Sequence, residues 1–230
     1  MENPLQKYNI KKVAIIHPDM TNKGGAEFVV DRLCRELSSL GFYVKLFTDK
    51  FDFSFWRKKS NYDVCEFKLN LKDYSLKKWK KAGKMLSSNL EEFDIVNPHN
   101  YPAYIFSYFA LKNNPNIKAP IIWYCEEPNR FLYHLVTDKN EIKENIIRKM
   151  VKIYKKWGIL EPIRSIFCRF QYGKLISKLD KEIIRDIDLI LCNSITTTKN
   201  IELIYNVKAY PCLLGNIYDI PAANVNYEKY

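Results

Sequence analysis

The sequence predicts an α/β domain built on a Rossmann-like, doubly wound parallel sheet. Short apolar runs alternate with helical patterns along most of the 230 residues, and this order is typical of helices that cover both faces of a parallel sheet. Polar residues directly follow several of the predicted strands, at the edge where open sheets of this class bind ligands. The hydrophobic content of 47% is sufficient for a sizeable core.

The first strand, helix and second strand are predicted to form a βαβ unit. Residues 13–16 are a short apolar run, as expected of a buried parallel strand. Residues 26–40 repeat apolar side chains every three to four positions, which predicts an amphipathic helix that ends at Gly41. Residues 43–47 then form the second strand, and the crossover should be right-handed.

The same alternation continues towards the carboxyl end. A third strand is predicted at 64–69, and later strands fall in FDIVNPHN, APIIWYCEEPNR, DIDLILC and KAYPCLLG. Helices are predicted in LKKWKKAGKMLSSNL, in AYIFSYFALKN and after the cap-rich turn NSITTT. We therefore expect one domain over residues 1–230.

A basic helical insertion at about 140–181 interrupts this rhythm. Apolar residues from Ile146 to Leu160 fall on one helical stripe, and Pro162 should kink or break the helix. The candidate membrane- or anion-binding residues lie mostly off this stripe: Arg148, Lys149, Lys152, Lys155 and Lys156. A basic amphipathic segment with aromatic residues is typical of an interfacial membrane element. The alternative is an insertion that packs its apolar face on the sheet.

The formal net charge of +11 favours an anionic partner, which can be nucleic acid, a phospholipid surface or a phosphorylated substrate. Lysines that merely solvate the surface are the alternative. The chain lacks the sequence patterns of common nucleic-acid-binding folds, so no nucleic acid partner is expected. No signal peptide and no apolar run of about 20 residues is present. We therefore expect a cytoplasmic protein, with possible peripheral attachment to the inner face of the membrane.

Six widely spaced cysteines without a CxxC pair predict reduced thiols, most of them buried. Metal ligands require clustered spacing, so no metal site is expected. We also expect no resident cofactor.

The candidate ligand-binding residues follow four predicted strands. They are Gly24, Gly25 and Glu27 after the first strand, Asn97, His99 and Asn100 after FDIV, Glu126, Glu127, Asn129 and Arg130 after IIWY, and Asn193 and Ser194 after DLILC. Each group also has a structural interpretation. The glycines can form a tight turn, Asn193 and Ser194 can cap a helix, His99 can bond its own loop, and Arg130 can pair with Glu126 or Glu127.

The glycine loop matches neither the dinucleotide-binding fingerprint nor the phosphate-binding loop of nucleotide triphosphatases. Gly24 and Gly25 can still expose backbone N–H groups at a helix N-terminus, where the helix dipole favours an anion.

The stretch KVAIIHPDMTNKGGAEFVVDRLCRELSSLGFYVKLFT resembles the first strand, glycine loop and helix of family-4 glycosyltransferases of the GT-B fold. The resemblance continues through FDIVNPHNYPAY, IIWYCEEPNRFLY and DLILCNSITTTKNIELIYNVKAYPCLLGN, and covers about Lys12 to Asn216. It implies a GT-B half-domain that binds the acceptor, with the reaction in a cleft shared with a second domain that binds the nucleotide sugar.

The resemblance implies particular roles for some residues. Gly24 and Gly25 would approach the donor's phosphates or the transferred sugar. Family members often have a histidine where this chain has Glu126, which could orient a sugar hydroxyl or act as a base. Glu126 and His99 are therefore the candidate catalytic residues, and Arg130 could hold an acceptor phosphate.

The resemblance also implies a division of labour with a second domain. The chain ends at Tyr230, near the point where the family continues into the donor-binding domain. We therefore expect little transferase activity from this chain alone, a nucleotide sugar as co-substrate, and a sugar or lipid-linked acceptor. The alternatives for the donor-binding domain are that it is truncated, that a separate chain supplies it in trans, or that it is lost. Transfer should retain configuration at the sugar. The alternative is a non-catalytic module of the same fold that binds a membrane or a partner protein.

Overall fold

The computed structural model describes residues 10–56, 61–71, 75–129, 133 and 175–213. The strands are β1 (Lys12–Ile16), β2 (Tyr43–Thr48), β3 (Asp63–Glu66), β4 (Ile95–Pro98), β5 (Ile122–Cys125), β6 (Leu189–Cys192) and β7 (Tyr210–Pro211). The helices are α1 (Gly25–Ser39), α2 (Phe53–Trp56), α3 (Leu76–Ser87), α4 (Ala103–Asn113), the described part of α5 (175–185) and α6 (Ile195–Tyr205).

The seven strands form two parallel groups that meet at β4 and β5. The first group has the order β3-β2-β1-β4 and the second β5-β6-β7. Parallel bridges join Val96 to Ile121 and His99 to Tyr124, so β4 and β5 are neighbours and the two groups form one continuous parallel sheet. The strand order reverses between β1 and β4. In open α/β sheets this reversal marks the crevice where ligands bind.

The sheet is doubly wound, as the sequence predicts, because each face has its own apolar core. Side chains alternate between the two faces of a strand: Val13 and Ile15 of β1 belong to one core, whereas Ala14 and Ile16 belong to the other. The first core includes residues of α1 and α2, and the second includes residues of α3, α4, α5 and α6.

Glycines set two local features of this packing. The chain turns out of α1 at Gly41, whose φ of +91° favours glycine, so the predicted end of this helix is confirmed. Helices α3 and α4 approach closely at Gly83, where an added Cβ would lie 2.5 Å from the Cβ of Phe109.

The third strand is shorter than the sequence predicts and ends at Glu66. The cause is Asp49, whose buried carboxylate accepts the backbone N–H groups of Leu69, Asn70 and Leu71. Lys68 and Asn70 both have a φ of 56°, which no strand allows. Residues 67–71 therefore curl back over the end of the sheet.

The predicted basic insertion lies outside the described residues apart from its last part, 175–181, which is helical. Its five candidate cations, Arg148, Lys149, Lys152, Lys155 and Lys156, are all outside them. Within the described ranges, none of the helices has the length and apolar character needed to cross a bilayer.

Candidate functional site

A polar crevice of about 480 Å³ lies where the sequence predicts a site, beyond the carboxyl ends of β1 and β4. The loop after β1, the start of α1 and the loop after β4 form its walls. Residues 67–71, held by Asp49, close one side through Leu71. The described residues that line it are His17, Pro18, Asp19, Asn22, Glu27, Leu71, Asn100, Tyr101 and Pro102.

The two glycines at the start of α1 have different surroundings. Gly24 is the N-cap, and its backbone N–H donates to Oε2 of buried Glu27 at 3.1 Å. A Cβ on Gly24 would lie 2.7 Å from that oxygen, so the glycine makes room for the capping carboxylate. A Cβ on Gly25 would meet no atom within 4 Å. Gly25 therefore borders open space that a ligand can enter.

His17, the first residue after β1, lines the crevice and is only 3% exposed. Burial lowers its pKa to about 4. A hydrogen bond with the main chain of Asp19 and the negative charge of the Asp19 carboxylate both raise the pKa, but by less. Its Nδ1 is buried and has no hydrogen-bond partner among the described residues. The ring is therefore neutral at neutral pH and has an unused polar atom.

Glu126, the first residue after β5, lies beside the crevice residues Asn100 and Glu27. Burial raises the pKa of its carboxyl, a hydrogen bond from the Asn100 side chain lowers it, and the negative charge of Glu27 raises it. Within the described part of the chain, its buried Oε1 has no hydrogen-bond partner. Glu126 is thus a half-buried carboxyl that retains capacity to bind another group.

Asn97 and His99 do not share the polar crevice with these residues. They line a second concavity, the apolar groove, which has a volume of about 690 Å³ and lies between α1 and strands β4, β5 and β6. The reason is strand alternation, because both residues lie on the same face of β4 as Ile95, which packs on the α1 side of the sheet.

His99 and Asn97 form a short hydrogen-bonded chain in that position. The amide nitrogen of Asn97 donates to the carbonyl of Ile122, so its Oδ1 accepts from Nε2 of His99 at 2.9 Å. The His99 ring stacks on Tyr124 with centroids 5.0 Å apart. Burial, and then the charge of His17, lower the pKa of His99 to about 3. Neutral His99 is therefore fixed between two strands.

Asn193 and Ser194 lie at the end of β6, and the Ser194 side chain caps α6. The Oγ of Ser194 accepts from the Thr197 backbone N–H at 3.0 Å. The Oδ1 of Asn193 accepts from the Thr197 hydroxyl at 2.8 Å. Ser194 therefore has the helix-cap geometry that the sequence left open as a structural interpretation, and Asn193 bonds to the Thr197 side chain in the same turn.

The remaining candidates follow Glu126 along the chain. Glu127 is half-buried and Asn129 is buried, with its carbonyl accepting from the Tyr133 backbone N–H at 3.0 Å. Arg130 lies outside the described residues.

A sequence profile of glycosyltransferase family 4 matches residues 23–212, which is most of the chain. The chain belongs to glycosyltransferase family 4. The match begins beside Gly24. It includes the crevice residues from Glu27 onwards, whereas those in the loop directly after β1 precede it.

Solved glycosyltransferase structures are similar to this family-4 domain in fold. One is the apo form of the lipopolysaccharide outer core galactosyltransferase WaaB, with a TM-score of 0.50, 18% identity, and coverage of 84% of this chain and 42% of that one. Others are a glycosyltransferase from Rickettsia africae (TM-score 0.41, 13% identity, 91% and 69% covered) and LpCGTa in complex with UDP (TM-score 0.43, 13% identity, 90% and 53% covered). None of the curated proteins matches in sequence.

The GT-B half-domain predicted from the sequence is confirmed by the parallel sheet, the family match and the likeness to the galactosyltransferase. This family-4 chain spans less than half of the length of that galactosyltransferase.

Sequence reasoning missed His17, Asp19, Asn22 and Leu71 as lining residues of the polar crevice. His17 had a usable signal, because it is the first polar residue after β1. Leu71 had none, because only the Asp49 hydrogen bonds bring residues 67–71 over the sheet.

Five described cysteines are free thiols, of which Cys212 is exposed. No group of three or more metal-ligating side chains forms within the described ranges.

Proposed function

We propose that this chain is the acceptor-binding half of a nucleotide-sugar-dependent glycosyltransferase and that the polar crevice receives the acceptor. The family assignment supports glycosyl transfer as the reaction class. The observation that carries the site is the position of Glu126. Its buried Oε1, which has no partner among the described residues, lies beside Asn100 and Glu27 at the crevice that the strand order of a doubly wound sheet creates.

Glu126 is proposed to orient, and to accept a proton from, the acceptor hydroxyl that attacks the donor sugar. A general base works best when its pKa lies near the working pH, and burial moves the pKa of Glu126 upward. The hydrogen bond from Asn100 fixes the carboxyl in one direction. The open space beside Gly25 lets the sugar or the donor approach the backbone of α1.

The nucleotide sugar is proposed to bind mainly to a second domain. The acceptor is proposed to be a polysaccharide or a lipid-linked sugar. Alignment of both reactants contributes much of the rate of such reactions, so this chain alone should transfer sugar poorly. His99 is proposed to support the site through the β4–β5 strand pair that holds Glu126 near Asn100, since its ring stacks between these strands.

The test is a sugar-transfer assay on the chain alone, on any donor-domain polypeptide encoded next to it, and on both together. We expect transfer only with both, and we expect Glu126→Gln to lower it by about 100-fold or more. The matched control is Glu182→Gln on α5, whose side chain is 54% exposed. If no donor domain restores transfer with any nucleotide sugar, the chain is a non-catalytic module instead.

Membrane attachment is proposed through Arg148, Lys149, Lys152, Lys155 and Lys156, since the chain carries a net charge of +11. The protein should co-sediment with vesicles that contain anionic lipid but not with neutral vesicles. Changing Lys152, Lys155 and Lys156 to glutamate should abolish this. Equal sedimentation with neutral vesicles would contradict the proposal.

A further inference from the structure

The polar crevice is acidic, although the chain as a whole is strongly basic. Asp19 and Glu27 line it, Glu126 lies beside it, and none of its described lining residues is Lys or Arg. Lys23 belongs to the same turn, but its ammonium lies over the Phe55 ring at 4.2 Å. The net charge of +11 is therefore not a guide to the ligand of this site.

Glu27 also changes what the start of α1 can bind. A free helix N-terminus attracts anions through its unpaired backbone N–H groups and the helix dipole. Here the Glu27 carboxylate accepts the Gly24 N–H at 3.1 Å and is itself buried. A second anion at this helix end would be repelled by the Glu27 charge. The Glu27 carboxylate therefore already occupies the position in which the glycine loop was expected to bind a phosphate.

Two further polar groups at the crevice, on Asn100 and His17, can accept hydrogen bonds, whereas Asn22 and Tyr101 in its lining each carry a donor as well as an acceptor. Asn100 uses its amide nitrogen on the Glu126 carboxylate, which leaves its Oδ1 as an acceptor. His17 provides an independent observation, because it is 97% buried, lines the crevice and has an Nδ1 without a described partner. A neutral imidazole always has one nitrogen lone pair to offer. An unsatisfied buried polar atom is costly, so a ligand that bonds it would gain affinity.

Building on the proposed acceptor site, we infer that the crevice selects an acceptor group that donates hydrogen bonds and carries no negative charge. A protonated amino group, as in an amino sugar, is its strongest ligand. Held near Glu27 and Glu126, an ammonium would make charge-assisted bonds and remove the repulsion between the two carboxylates. A phosphate or carboxylate on the acceptor would meet that repulsion, and none of the described lining residues is a Lys or Arg that could offset it.

The test compares four monosaccharides of similar size by calorimetric titration of the protein: glucosamine, glucose, glucuronic acid and glucose 6-phosphate. At a pH where the amine is protonated, we expect glucosamine to bind about tenfold more tightly than glucose, because a charge-assisted bond is about twice as strong as a neutral one. The two anionic sugars should bind more weakly than glucose.

Variants assign this preference to the crevice. In Glu126→Gln the preference for glucosamine over glucose should disappear, because one of the two carboxylates is lost while the shape is retained. In Glu182→Gln, where the side chain is exposed on α5, the preference should be unchanged. Asp19→Asn reports on a third carboxylate and should reduce the preference without abolishing it.

The outcomes separate the inference from the proposal on which it rests. If all four sugars bind equally, or the anionic sugars bind best, the selectivity is wrong while the acceptor site stands. If none binds, both the inference and the proposed acceptor site are contradicted. A preference that survives Glu126→Gln places the amine elsewhere and overturns the inference.

Discussion

Two strand-to-helix turns of this sheet have the same topology and opposite chemistry. The turn from β6 to α6 closes on itself, because the side chains of Asn193 and Ser194 both bond to Thr197. The turn from β1 to α1 caps its helix through Glu27, but His17 Nδ1 has no hydrogen-bond partner among the described residues and Gly25 lies beside open space. A strand end becomes a candidate site when it carries more polar groups than the hydrogen bonds of its own turn can satisfy.

The largest expected difference between the two turns is in the pH dependence of stability. His17 has a pKa of about 4 in the folded protein, and the unfolded imidazole has a pKa of about 6.5. The unfolded chain therefore binds more protons between these values, so the free energy of unfolding falls as the pH decreases from about 6.5 towards 4. One group with this shift contributes about 3 kcal/mol to the fall.

Urea unfolding of the wild-type protein, His17→Asn and Ser194→Ala at several pH values checks this prediction. His17→Asn should show a shallower decline than the wild type over this range, whereas Ser194→Ala should decline in parallel with it. His99 has a pKa of about 3 and shifts in the same direction, so part of the decline should remain in His17→Asn. Identical slopes in the wild type and His17→Asn would show that His17 is not held neutral.

The next largest effect concerns ligand binding at Gly25. The Gly25→Val side chain would enter the open space beside the start of α1, where the proposed acceptor approaches, so sugar affinity should fall by about tenfold or more while the fold is retained. Titration calorimetry and a thermal melt measure the two properties on the same sample. A variant that unfolds would instead assign Gly25 a structural role.

Ser194→Ala should have the opposite pattern. The loss of the bond from the Thr197 N–H to Oγ of Ser194 removes an N-cap, which typically costs about 1 kcal/mol of stability. Sugar affinity should not change. Chemical denaturation provides the first value and calorimetry the second, and a loss of affinity without a loss of stability would place the β6–α6 turn in the binding site.

The smallest expected effect is a gain in stability for Glu126→Gln. Burial raises the pKa of Glu126, so the ionised carboxylate is disfavoured in the folded state above its unfolded pKa. The uncharged amide removes that cost at neutral pH, and the gain should vanish in acid as the wild-type carboxyl is protonated. Functional groups often carry such a cost. Chemical denaturation at neutral and at acidic pH measures this gain. A variant that is less stable than the wild type at neutral pH would contradict the prediction.

Periodicity and strand-end position were sufficient to predict most of the fold. Helix α4 occupies the predicted residues 103–113, and α1 ends where Gly41 indicates. The third strand was predicted too long because its end depends on Asp49, which is distant in sequence and bonds to the backbone of residues 69–71. No local pattern contains that contact.

The sequence predicts a site at the carboxyl ends of the strands, where the structure has the polar crevice, but the crevice does not bring all of the predicted residues together. The carboxyl ends of the parallel strands do bring Asn100, Glu126 and Glu27 together. Asn97 and His99 were grouped with them, but they lie on the α1 face, where they line the apolar groove. Their spacing from Ile95 contains this information, but only the packing of Ile95 against α1 identifies which face is which.

The most direct test of the central claim is to map a bound hexose by two-dimensional amide NMR of the labelled protein. The account predicts shifts at the backbone amides of Gly25, Asn100 and Glu126, and none at Asn193 to Thr197. Shifts confined to the β6–α6 turn, or no shifts at the crevice at saturating sugar, would contradict the assignment of the acceptor site.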